Sequence, residues 1–237
     1  MSTNVPVPLA FPVPRAVDLD REHFEDGDDT AVRAAEHLTG RVEFGGPVSM
    51  PIDRNYHPED VELQTYLEAK DGSLRFVLVI MSVNFPYGEP DLVTAEVKVE
   101  LSDSGETGQT LAYSLYPTEL SNAKDANRSV TIKPDLTIAG VGVSGGELDR
   151  GSVEHGTVSY VIGGPELSAR PSWSFRKTPT QAIDKPARLG MVIQVPVGCT
   201  GSLTVTLGAA IDKHTLFSKK RIRLDHASDE TPTAITF

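Results

Sequence analysis

Hydrophobic and polar positions alternate along much of this chain, most cleanly between residues 93 and 101. Val93, Ala95, Val97, Val99 and Leu101 are apolar, while Thr94, Glu96, Lys98 and Glu100 are polar. Successive side chains of a strand point to opposite faces, so a period of two predicts a strand with one buried face. Leu203, Val205, Leu207 and Ala209 alternate with Thr204, Thr206 and Gly208 in the same way. The apolar run 189–195 precedes them, joined through Pro196, Gly198 and Gly201. Two such runs with a short Gly/Pro connection are expected to pair as an antiparallel hairpin. Trp173, the sole tryptophan, and Phe175 fall on one face of the preceding strand. They are the expected large pieces of core beneath that hairpin.

Further upstream, Val61, Leu63, Thr65 and Leu67 alternate with Glu62, Gln64, Tyr66 and Glu68, and Lys70-Asp71-Gly72-Ser73 follows. The reading is a strand ending in a type I′ turn, because Asp-Gly supplies positive φ angles. Residues 74–83 are then the return strand, apolar on both faces and therefore expected to be central. Residues 42–56, broken by glycine and proline, read as a connector. Shorter strand signals stand at 111–115, 130–133, 136–143, 157–162, 221–224 and 234–237. One helix is expected at 30–38, with Asp29 as cap, a narrow face of Ala31, Ala34, Ala35 and Leu38, and Gly40 as stop.

Many short strands with frequent turns and almost no helix predict an all-β fold, an antiparallel β-sandwich of jelly-roll or immunoglobulin-like type. A parallel α/β sheet would need helical crossovers that the pattern lacks. Residues 1–41 form an N-terminal unit of arm, acidic stretch and helix, and residues 42–237 form the β domain. A division into two packed halves near 122–129 is the alternative domain scheme.

Residues 1–15 alternate proline with larger apolar residues, which predicts an extended arm. Val5, Val7, Leu9, Phe11 and Val13 share one face of it at period two, a candidate surface for a partner or a second copy. Lys219, Lys220, Arg221 and Arg223, with Lys213 and His214 nearby, form the one basic cluster. Arg221 and Arg223 alternate with Ile222 and Leu224, the pattern of an edge strand guarded by charge. That edge is the second candidate contact surface, by strand addition or by docking against the acidic residues 18–29 of another copy.

At 237 residues, with 39% hydrophobic and 23% charged residues, the chain can build a substantial core and is too apolar for wholesale disorder. The net charge of −11 argues against general nucleic-acid binding, which needs clustered Lys and Arg against phosphates. The apolar N-terminal segment is broken by Pro6, Pro8, Pro12 and Pro14, unlike a signal peptide, and the run 76–81 is too short to span a bilayer. The expectation is a soluble protein, cytoplasmic or in an assembled particle. Cys199 is the single cysteine, so no intramolecular disulfide can form.

Candidate chemistry is sparse. Gly142-Val143-Ser144-Gly145-Gly146 fits the G-x-S-x-G pattern of a hydrolase nucleophile. That pattern acts only between a strand and a helix, and residues 147–151 carry no helical stripe. A turn is the simpler reading of Ser144. The six histidines form no H-x-H or H-E-x-x-H spacing, and Asp149, Glu154 and His155 are the first group to inspect for a metal assembled from distant ligands. No phosphate-binding loop or dinucleotide fingerprint is present. The expectation is therefore no catalytic residues, no metal and no cofactor. Loop 84–90 carries Phe85 and Tyr87, the candidate ligand-facing aromatics if the protein binds a glycan. The sequence thus favours a non-catalytic structural or protein-interaction subunit. A glycan-binding module and a hydrolase at Ser144 are the alternatives.

Overall fold

The structure is a computed structural model and describes residues 11–17, 40–56, 58, 60–89, 91–103, 109–120, 137–138, 141–142, 159–214, 219–227 and 233–235. These residues form mostly β structure with one helix. In chain order the elements are β1 (Arg15–Ala16), β2 (Glu43–Ile52), helix α1 (Val61–Lys70), β3 (Leu74–Asn84), β4 (Leu92–Asp103), β5 (Leu111–Tyr116) and β6 (Glu119–Leu120). They continue with β7 (Thr137–Ile138), β8 (Val141–Gly142), β9 (Val161–Gly164), β10 (Ser172–Arg176) and β11 (Ala187–Pro196). The last three are β12 (Gly201–His214), β13 (Lys219–Ala227) and β14 (Thr233–Ile235).

Two antiparallel sheets carry the architecture. The first has the order β1-β2-β3-β11-β5, and the second runs β13-β12-β4-β10-β9-β6 with β14 added to β12. β7 and β8 pair only with each other among the described residues. Both sheets draw strands from either side of residues 122–129, since β3 pairs β11 and β4 lies between β12 and β10.

β3 shows how the sequence pattern becomes packing. Its odd positions Val77, Val79, Met81 and Val83 join one buried cluster, and its even positions Phe76, Leu78 and Ile80 join another. That is the period of two expressed on both faces of a central strand, as expected for residues 74–83. The first cluster also takes Val97 and Val99 from β4, Trp173 and Phe175 from β10, Met191 and Ile193 from β11, and Val205 and Leu207 from β12. The two sheets therefore share one core. Each fully buried side chain of this size contributes about 1.5–3 kcal/mol relative to exposure.

The second cluster lies on the other face of the first sheet and is capped by α1. Here the strand expected over 61–68 is a helix. Asp60 caps it, accepting a hydrogen bond from the Leu63 amide at 3.0 Å, and Glu62 and Lys70 sit at the ends that the helix dipole favours. Leu63 and Leu67, one helical turn apart, are buried against the sheet, while Val61 is 74% exposed. The set 61, 63, 65 and 67 also contains the apolar i, i+4 pair Leu63 and Leu67 that a helix needs. The cap and the uncovered face of β3 select the helical solution. Asp71-Gly72 accordingly ends a helix, with Gly72 at φ +90°, and is not a hairpin turn.

Two further expectations are corrected. Residues 43–52, read as a connector, form β2, which shifts register between Gly45 and Val48. The irregularity at Gly45-Gly46-Pro47 hid the strand. The expected hairpin of 189–195 with 202–209 does not form. β11 is flanked on its two edges by β3 and β5, and β12 by β4 and by β13 with β14. The connection around Gly198 instead carries the chain from one sheet to the other. Both runs contribute apolar residues to the shared buried cluster. Trp173 and Phe175 are fully buried there, as expected of them. The helix expected at 30–38 lies outside the described residues.

Candidate interaction surfaces

The arm is described from Phe11 to Val17, and this segment lies against the first sheet of its own chain. Arg15 and Ala16 pair with Phe44 and Glu43, and the Val17 amide donates to the Val42 carbonyl at 3.0 Å. One step earlier, the Ser82 hydroxyl donates to the Pro12 carbonyl oxygen. Gly45 and Gly46 make room for this approach. A Cβ on Gly45 would lie 2.6 Å from Ser82 Oγ and 2.7 Å from the Pro12 oxygen, and one on Gly46 would lie 2.9 Å from Pro12 Cγ. Gly46 also has φ +106°, which side chains rarely adopt.

The apolar face expected along the arm is divided. Phe11 packs on the outer cluster beside α1, and the Arg188 guanidinium stacks 5.0 Å from its ring centroid. Val13 is 80% exposed. Val5, Val7 and Leu9 lie outside the described residues, as does the acidic run 18–29.

The basic cluster falls partly on β13, which pairs with β12 alone among the described residues. In register, Arg221 stands opposite Asp212, Lys220 opposite Lys213, and Lys219 opposite His214; Arg223 stands opposite Ala210. The strand thus sits at the margin of its sheet.

In the candidate ligand loop, Phe85 is only 1% exposed and packs edge-on against Phe175, their centroids 5.0 Å apart. It is a core residue, so Tyr87, 72% exposed, is the ring of that pair open to a ligand. Beneath the loop, the buried Arg41 donates from Nε to the Pro86 carbonyl at 3.1 Å. Gly88 lies so close that a Cβ there would be 2.8 Å from the Arg41 guanidinium carbon. Burial lowers the Arg41 pKa, with Asp91 and Tyr87 acting in the opposite sense. The loop is therefore held from below by a buried cation.

A cleft of about 370 Å³ opens between the end of β2, the last turn of α1 and the start of β3. Its walls include Ile52, Leu67, Leu74 and Phe76, with Arg54 and Arg75 adding charge. Arg54 bonds Asp71 at 3.1 Å and approaches Glu68 at 3.7 Å, and Arg75 Nη2 donates to the Cys199 carbonyl at 2.9 Å. The cleft has no counterpart among the sequence expectations, because a strand over 61–68 would not form its wall. The Asp60 cap signal was the clue that would have found it.

Ser144 and the group Asp149, Glu154 and His155 lie outside the described residues. Among the described residues no three His, Cys, Asp or Glu side chains converge as a metal site, and no helix is long and apolar enough to cross a membrane. No model of a known protein family matches this chain, and no curated protein does.

Proposed function

We propose that this protein is a non-catalytic structural or protein-interaction subunit of a larger complex or particle. In this reading residues 42–237 close as a single β-sandwich of jelly-roll or immunoglobulin-like type. The N-terminal arm and the β13 edge, with Lys219, Lys220, Arg221 and Arg223, meet a protein partner or further copies of the chain. The observation that carries the reading is the seat built for Pro12. Two glycines, a buried serine hydroxyl and a register shift in β2 are all committed to receiving an extended proline-containing strand. The shared core supports the sandwich, and the position of β13 at a sheet margin supports contact by strand addition. Removing residues 1–15 is expected to leave the β fold intact and to lower the mass measured by light scattering at high concentration. Identical masses with and without the arm would dismiss its part in assembly.

A second reading, a ligand-binding module, draws on two observations. The cleft beside α1 has the size and apolar walls of a small-molecule site, and the exposed Tyr87 offers a ring on which a sugar could stack. Binding on a glycan array that Tyr87→Ala abolishes would favour this reading. An array without hits would count against it.

A further inference from the structure

We propose that the cleft beside α1 binds a flexible amphipathic carboxylate, an acyl chain that ends in a carboxylate group. This rests on the ligand-binding reading and names its class of ligand; the assembly reading does not depend on it.

The lining sets the shape of the ligand. Leu74, Arg75, Phe76 and Val77 are successive residues of β3, and all four line the cleft. Successive side chains of a strand point to opposite faces. Phe76 belongs to the outer cluster beside α1, and Val77 belongs to the core shared by the two sheets. The cleft therefore follows the margin of the first sheet from one face toward the other, past the exposed Ser49 and Pro51 of β2. A rigid, compact molecule meets one of these faces. A chain with rotatable bonds meets both, laying its methylene groups against Ile52, Leu67, Leu74 and Phe76.

The charges in the wall set the head group. Asp53, Arg54, Asp71 and Arg75 are its ionisable residues. Arg54 is held by Asp71 at 3.1 Å and by Glu68 at 3.7 Å. Asp53 is exposed and accepts the Asn55 amide at 2.8 Å. Arg75 differs from these three. It is half-buried, its Nη2 donates to the Cys199 carbonyl at 2.9 Å, and its Nε is buried with no hydrogen-bond partner among the described residues. No acidic side chain of the described residues forms an ion pair with it. A cation withdrawn from water without a counter-charge is costly, and a carboxylate is the anion whose two oxygens match a guanidinium. An anionic head brought by the ligand offsets that cost, while the exposed Asp53 remains solvated.

Calorimetric titration of the full-length chain with decanoate and with decan-1-ol, which share a chain length and differ in the head group, tests this. Decanoate should bind about tenfold more tightly than decanol. Arg75→Gln should lower decanoate affinity about tenfold and leave decanol unchanged, and Arg75→Lys, which keeps the charge, should fall between parent and Arg75→Gln. Ser49→Trp, at an exposed position in the wall, should weaken both probes. Circular dichroism checks that each variant is folded. Equal binding of the two probes, unmoved by Arg75→Gln, overturns the carboxylate and leaves a plain apolar site. Decanoate binding that survives Ser49→Trp unchanged puts the site elsewhere and also overturns the proposal. If neither probe binds the folded parent, the cleft is not a site for this class, and the assembly reading, which is tested by mass, stands apart from that result.

Discussion

The Trp173 indole occupies the space that a side chain at Gly163 would need. The two residues face each other across the β9–β10 ladder. A Cβ on Gly163 would lie 3.0 Å from both Cδ1 and Nε1 of the indole and would collide with the Pro117 carbonyl oxygen. The largest side chain of the shared core is thus seated over a glycine, and neither the ring nor the backbone oxygen can yield cheaply. Gly163→Ala is expected to cost about 2–3 kcal/mol through overpacking. Gly190→Ala is its control, because a Cβ there meets nothing closer than 3.8 Å. It should be neutral or stabilise by up to about 1 kcal/mol. Urea unfolding of the two variants checks the pair, and equal effects would contradict the packing described.

The helix α1 makes a sharper distinction. If residues 61–67 were a strand with one buried face, Val61 and Leu63 would be equivalent. On the helix, Leu63 is buried and Val61 is exposed. Leu63→Ala should therefore destabilise by about 2–4 kcal/mol, and Val61→Ala by less than about 0.5 kcal/mol. Asp60→Ala removes the cap and should cost about 1 kcal/mol. Chemical denaturation separates these values readily.

Tyr160 provides a pH signature of the core. Its pKa is pushed up to about 12, chiefly by burial and secondarily by Asp184. Its hydroxyl meets no hydrogen-bond partner among the described residues. An unfolded tyrosine titrates near pH 10, so the folded state holds the proton longer than the unfolded state does. The resulting stabilisation is fully present below about pH 10 and is lost as pH rises toward 12, by about 1.4 kcal/mol per pH unit for this group. Tyr160→Phe should lessen that slope, and near neutral pH it should be as stable as the parent or more so, because it no longer buries an unpartnered hydroxyl. Denaturation midpoints measured from pH 8 to 12 decide the matter.

The parts legible in the sequence were those in which a single rule governed the outcome. β4 and the first part of β12, residues 203–207, bury one face by alternation, and β3 is apolar on both faces because one joins the cluster with α1 and the other the cluster shared with the second sheet. Trp173 could be placed in the core because a lone large ring on an alternating strand has few alternatives. The errors arose where two rules competed. Residues 61–67 satisfy both a strand and a helix pattern, and the Asp60 cap together with the apolar outer face of β3 decided between them. The runs at 189–195 and 202–209 satisfy side-by-side pairing and face-to-face packing equally well. Only the distant partners β5 and β4, which take their edges, distinguish the two. The seat for Pro12 was invisible for a related reason. Gly45-Gly46 reads locally as a loop, and its purpose appears only when the arm lies across it.

Small-angle scattering from the full-length chain over a concentration series tests the central claim most directly. If the protein works as an assembling subunit, forward scattering per unit mass should match a single 25.5 kDa chain when dilute. It should climb steadily with concentration as copies of the chain associate. A value that stays at one chain across the whole series would contradict self-assembly of this subunit.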